Sequence, residues 1–271
     1  MRSGKELALG EKIISNIKSL NLSGKLLAGA RLLLEDDEIQ EIQEYANTVS
    51  IVRLGFNDHG PVHMRTVAWN AIRMCDLLRG AGIKTNLEKE ECGDFEDSLT
   101  AIVCASMLHD LGMCTGRQDH ELHSVYMAYP ILERILPRIY PDDLHKRVIV
   151  RSLAMEAIYG HMGNRTVSSL EAGIVQVADG CDMTKGRARI PMALNYSPRA
   201  GHIHQFSANS IEEVKIEAGQ EKPIRIDVTM SSEVGYFQVE EVLLAKIASS
   251  PAKPHIELLA KVNDNPPRQY I

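Results

Sequence analysis

Through roughly the first 190 residues the apolar positions recur at helical spacing; beyond about residue 208 they begin to alternate. Residues 5–19 place Leu7, Leu9, Ile13, Ile14 and Ile17 near one face, and further helices are predicted over 23–34 and from Asp36 and Asp37 through Ile39, Ile42, Tyr45 and Val49. The acidic pair suits the positive end of a helix dipole. A stretch rich in Asn, Asp and Gly follows, and Pro61 then suits the first turn of a helix running to about Leu78, with Val67, Ala71, Met74 and Leu78 inward. Polar, acidic residues 84–97 read as a surface loop or short turn. A central helix is expected over 97–111, because residues 101–108 are small or apolar on every side, the pattern of a buried helix. It ends in His109 and Asp110, and Gly112 follows where a left-handed helix cap is expected.

Asp119 is placed to cap the next helix, on which His120 and His123 share roughly one face, and Pro130 is expected to kink or restart it. Helices over 142–159 and 170–183 follow; His161 sits at the end of the first, and Asp179 and Asp182 lie within the second. A buried aspartate needs partners, whereas Asp182 is expected near the helix end and exposed. Residues 191–201 read as a loop. Strands are then predicted over 211–218, 224–230 and 255–262, with a helix over 234–248 and a loose tail. The expected organisation is a helical domain over 1–190, its core at 50–190, followed by a small α+β unit over 205–263 with β-β-α-β order. The exposed strand edges of that unit can pair in a dimer or lid an active site, and a homo-oligomer is expected.

Composition narrows the function classes. The formal charge of −6 in 271 residues disfavours broad nucleic-acid binding. Five scattered cysteines without a Cys-x-x-Cys suit a reducing compartment. The charged start lacks the apolar core of a signal peptide, and no apolar run is long enough to span a membrane, so a cytoplasmic protein is expected.

The residues that carry chemistry are His63, His109, Asp110, His123, His161 and Asp179, on five helices or helix ends. His120 is the rival to His123, and His59 reads as a turn residue. Four histidines and two carboxylates can hold two divalent transition metals, with Asp110 able to bridge through its two oxygens. Nitrogen and oxygen donors without thiolate favour Fe, Mn, Co, Ni or Zn. Two such ions about 3.5–4 Å apart can acidify a bridging water and clamp a phosphoryl group. Arg65, Arg117, Lys185, Arg187 and Arg189 are candidates for phosphate contact, and Arg117 lies one loop beyond the His-Asp pair.

His63, then His109-Asp110, then a distal Asp179 resembles the HD-domain metal-dependent phosphohydrolase superfamily, over about residues 50–190. His123 with the helix after it, and His161, resemble the histidines that its two-metal branches add. The segment from Lys185 to Arg189 resembles the one that follows the last Asp in the related RNase Y branch. The resemblance implies a mainly α HD bundle that hydrolyses a phosphomonoester or phosphodiester in a small phosphorylated substrate such as a nucleotide. It also implies a water bridging the metals as nucleophile, Asp110 bridging, and Arg117 with Lys185 and Arg187 orienting substrate. Twelve residues separate Asp110 from His123, fewer than in the two-metal phosphodiesterases; no Gly-Tyr-Pro is present, and the C-terminal unit is not part of the shared domain. Two other functions fit the same residues: a di-iron oxygenase, and a non-catalytic nucleotide- or ligand-sensing module.

Overall fold

The computed structural model describes residues 2–186 and 203–271, with His204 and Gln205 described by backbone alone. Its centre is α6 (Phe95–Leu108), every residue of which is buried. The helix begins with a capping box: the Asp94 carboxylate accepts the Asp97 N–H, and the Asp97 carboxylate accepts the Asp94 N–H. Small side chains along its length, such as Ala101, Ala105 and Ser106, let neighbours approach from all sides.

Around it pack α2 (Lys25–Glu35), α4 (Pro61–Gly80), α8 (Leu144–Gly160) and α9 (Leu170–Cys181), with α1 (Gly4–Ser19) and α3 (Asp37–Thr48) outside α4. Helix starts are capped as their sequences direct: Ser3, Asp36 and Ser169 each accept a backbone N–H from the first turn. The polar stretch 84–97 holds one short helix, α5 (Asn86–Lys89), closed by a Thr85–Glu88 capping box, and the last three residues of the stretch are already the buried first turn of α6. Pro130 does not restart the helix. Helix α7 (His120–Ile139) continues through both Pro130 and Pro137. Buried Ala128, Ile131, Leu132, Ile135 and Leu136 hold one face of that helix in the core where proline removes a backbone hydrogen bond.

After the helical part come α10 (Ile203–Ser210), β1 (Ile211–Ala218) and β2 (Ile224–Met230). A crossover helix, α11, follows in three continuous pieces, Tyr236–Gln238, a π-helical segment Val239–Leu244, and Ala245–Ser249; β3 (Ile256–Val262) and β4 (Arg268–Gln269) complete the chain. Among the described residues the sheet order is β1-β2-β3-β4. β1 runs antiparallel to β2, β2 runs parallel to β3 with Ile224 beside Ile256, and β3 runs antiparallel to β4. The tail is therefore less loose than its sequence suggests, since Arg268 and Gln269 pair with Ala260 and Leu259. Ile224, Ile226, Val228 and Met230 point inward, as the alternation predicts, and join one continuous apolar core with α4 and α9. The expected loop over 191–201 lies outside the described residues. Among those residues no helix is long and apolar enough to cross a membrane.

Candidate metal centre

The end of α6 delivers His109 as its cap and Asp110 just beyond. Gly112 is not the left-handed cap its position suggests; it sits in the tight 3-10 turn Leu111–Cys114. Its value is close approach. A Cβ there would stand 2.1 Å from the His120 carbonyl oxygen and 2.6 Å from the Ser124 nitrogen. Without one, the start of α7 lies directly on the turn, and the Gly112 N–H donates to Ser124 Oγ at 2.8 Å. That contact brings His120, the first residue of α7, against Asp110.

Four buried imidazoles then converge. His109 Nδ1 faces the Ser106 carbonyl at 2.9 Å, His161 Nδ1 the Ile158 carbonyl at 2.7 Å, and His120 Nδ1 the Arg117 carbonyl at 3.0 Å. His63 Nδ1 faces an Asp182 carboxylate oxygen at 2.7 Å. All four partners can only accept, so each Nδ1 carries the proton and each Nε2 presents a lone pair in the neutral ring. Those lone pairs meet in two couples. His63 and His109 approach Nε2 to Nε2 at 3.2 Å, as do His120 and His161. Asp110 joins both couples: Oδ2 lies 3.3 and 3.4 Å from the first, and Oδ1 3.2 and 3.4 Å from the second. Asp179 lies nearest the first couple, with Oδ1 3.1 Å from His63 Nε2 and 3.8 Å from His109 Nε2, and its carboxylate also comes within 4.8 Å of His161.

Lone pairs facing lone pairs across a carboxylate oxygen repel unless a cation lies among them. This donor set fits divalent metal: His63 and His109 lie within 3.8 Å of Asp110 and Asp179 at one end, and His120, His161 and Asp110 gather at the other. The Asp182 carboxylate behind His63 orients the ring and raises its basicity, as carboxylates behind metal-binding imidazoles do. Electrostatics agree with a neutral His161 ring and with ionised Asp110 and Asp179. Burial pushes the His161 imidazole down to about 4, with His109 and His120 adding to the effect. Burial opposes the charge of Asp179, yet the Lys246 ammonium beside its outer oxygen, together with His63 and His109, outweighs this and holds the carboxyl well below the usual range.

A cavity of about 440 Å³ opens onto Asp110, His161 and Asp179, within the range of small-molecule sites. Phe56, His59, Arg117 and Met162 line it, together with Gln238, Glu241, Val242, Ala245 and Lys246 of α11. Arg117 lies over the Phe56 ring and donates toward His120 Nε2 at 3.5 Å, so its guanidinium faces the three-donor end.

Of the residues singled out in the sequence, His63, His109, Asp110, His161, Asp179 and Arg117 come together, whereas His123, Arg65 and Lys185 stand apart from them. His123 stands one turn away, half-buried, with Nδ1 donating to Thr115 Oγ1 at 2.7 Å. His120 takes its place because the chain enters α7 from a left-handed Asp119, which turns the first helical residue inward. Arg65 is buried away from the cavity, donating to Gln40, Gln43 and the Pro61 carbonyl. Lys185 pairs with Glu212 on the surface, and Arg187 and Arg189 lie outside the described residues. Two groups in this centre were not anticipated as members. Asp182 is buried rather than exposed, because His63 Nδ1 needs an acceptor. Lys246 arrives from the C-terminal unit; its signal was a lysine on the apolar stripe of Val239, Leu243 and Ile247.

A family model described as HD domain matches residues 62–184, the segment that carries all six clustered donors. An uncharacterized protein of Methanocaldococcus jannaschii is 40% identical over 235 residues, which span 87% of this chain and 88% of that protein. The chain belongs to the HD-domain superfamily. Ribonuclease Y of Clostridium tetani is 26% identical over 162 residues, 58% of this chain but only 27% of that enzyme. No solved structure matches the chain. HD domains are generally metal-dependent hydrolases, and this HD domain has the buried histidine and aspartate donors that such chemistry requires. Its α11 wall lies outside the matched segment.

Proposed function

We propose that the protein is a two-metal phosphohydrolase acting on a small phosphoester. One observation carries the reading: four imidazole lone pairs, fixed by their Nδ1 partners, converge on the two oxygens of a single buried aspartate. His63, His109 and Asp179 would hold one ion, His120 and His161 the other, and Asp110 would bridge them. Divalent ions bound there would supply Lewis acidity toward phosphoryl oxygens and a nucleophilic water at neutral pH.

The chain's own residues divide the remaining work. Carbonyl acceptors and Asp182 keep each imidazole in the Nδ1–H tautomer, so the Nε2 atoms need no rearrangement to accept a cation. Arg117, held between the Phe56 ring and Met162, presents its guanidinium to a phosphoryl group at the three-donor end. That end has fewer protein donors and faces the cavity, so substrate enters there. The apolar faces of Phe56, Met162 and Val242 would exclude water around the leaving group. Arg65, bound internally by Gln40 and Gln43, has no direct role in this reading.

The test is metal content by mass spectrometry on protein purified without chelator, paired with Asp110→Ala and a phosphoester screen in manganese, cobalt and iron. About two ions per chain in the wild type, none in the variant, and anaerobic phosphoester hydrolysis are expected. Turnover that requires iron and consumes oxygen would overturn the hydrolytic reading, as would nucleotide binding without turnover in every metal.

A further inference from the structure

The HD segment lacks a lysine close to the metal cluster, and the C-terminal unit supplies one. Lys246 is 7% exposed, although ammonium groups are rarely buried without full pairing. Among the described residues its Nζ meets one acceptor, the outer oxygen of Asp179, leaving two N–H groups on the wall of the cavity. The route that brings it there is built into three separate elements. Gly180 of α9 has no side chain where a Cβ would stand 3.2 Å from Lys246 Cδ, and Gly163, beyond α8, leaves space where a Cβ would stand 3.4 Å from Lys246 Cγ. The stem therefore runs in a slot between two glycines. The π-helical segment Val239–Leu244 directly precedes it, and such segments rotate the residues that follow and recur at functional sites.

A structural lysine would be expected to have all its donors used within the fold; this one has a single protein acceptor among the described residues and turns its other donors to the cavity above the metal cluster. A divalent ion on the inner oxygen of Asp179 would draw off the carboxylate charge that now holds the ammonium, which frees it for an anion in the cavity. Arg117 lines the same cavity, so two cations share it with Asp110 and Asp179.

We propose that Lys246 is a substrate-binding residue that takes a phosphoryl oxygen of the substrate, so that the C-terminal unit completes the active site of the HD domain. This rests on the phosphohydrolase reading for the identity of the anion. The organic part of the ester lies against Val242 and Phe56, with Glu241 at the polar rim. A substrate enclosed in this way is a small phosphoester and not an internal bond of a long polynucleotide.

The experiment uses the full-length, metal-loaded protein with Lys246→Met, which keeps the stem in its slot, and Lys246→Arg, which keeps the charge. Metal content, orthophosphate binding by calorimetry, and KM and kcat for p-nitrophenyl phosphate are measured on each. Lys246→Met is expected to retain its metal, lose orthophosphate affinity by at least about tenfold and raise KM, with partial recovery in Lys246→Arg. Unchanged orthophosphate affinity, or loss of metal with the charge, overturns the proposal and makes Lys246 a positioning residue for Asp179. Should Lys246→Met fail to fold, Lys246→Gln, which retains a donor to Asp179, is held to the same criteria. Orthophosphate binding that depends on Lys246 in a wild type without phosphoesterase activity would refute the hydrolytic reading while leaving Lys246 as the anion site. Hydrolysis that is indifferent to Lys246 would do the reverse.

Discussion

Helix α6 carries a buried aspartate at each end, and the two live in opposite surroundings. Asp97, at the start, is fully buried among donors: the Asp94 N–H, the Tyr140 hydroxyl at 3.0 Å and the Lys146 ammonium. Asp110, just past the other end, is 2% exposed and lies among imidazole nitrogens whose lone pairs face it. A carboxylate ringed by donors is complete in itself and serves the fold. One ringed by acceptors is complete only with a cation, and serves chemistry. Burial alone does not separate the two; the sign of the neighbours does.

The sharpest way to break the comparison is to remove each acid in turn. Asp110→Ala is expected to abolish metal binding and turnover while far-ultraviolet circular dichroism still reports a helical protein. Asp97→Ala is expected to keep its metal and lose about 3 kcal/mol of stability in urea melts, through the lost capping box and the unpaired Tyr140 and Lys146. The figure sits at the low end for a broken buried pair because Lys146 is partly exposed and can turn to water. Equal metal loss in both variants would mean that Asp110 acts only through the fold.

A smaller effect tests the asymmetry of the cluster itself. His120→Ala is expected to lower metal content from about two ions per chain to about one, the four-donor end keeping its ion. His123→Ala, which cuts only the bond to Thr115, is expected to leave metal content unchanged. The reverse result would return His123 to the cluster.

The smallest effect is in pH. Burial works against the charge on Asp97, but Lys146, Asp94 and Tyr140 outweigh it and hold the carboxyl below its ordinary value. A carboxyl lowered by folding contributes its full stability above the unfolded value, about 4, and loses it as pH falls through the depressed folded value. The melting temperature of the wild type is therefore expected to drop as pH is lowered from about 4, and that of Asp97→Asn to drop less steeply over the same window. Parallel curves would show that the acid-labile pairing lies elsewhere.

Much of this was legible in the chain. The central helix was readable because nothing along residues 101–108 can face water, and β2 because Ile224, Ile226, Val228 and Met230 alternate without exception. The donors His63, His109, Asp110, His161 and Asp179 stood out as polar groups at apolar helical positions. What stayed hidden depended on geometry between elements. His120 and His123 share a helical face, and only the left-handed Asp119 and the bare Gly112 decide which one meets Asp110. Asp182 read as a helix end exposed to water, although its partner, His63, lies 119 residues earlier. The continuation of α7 through Pro130 reflects packing on the whole of one face, which a local rule about proline does not weigh.

The parallel pairing of β2 with β3 sets a timetable. α11 is strung between those two strands, so it is fixed in place only when residues 256–262 exist to pair. Every donor of the cluster, from His63 to Asp179, has by then left the ribosome, since synthesis runs from the N-terminus and folding follows it. The cluster can therefore form first as an open basin, and the wall that carries Lys246 closes over it last. Ions have their widest access to the histidines while β3 is still being made.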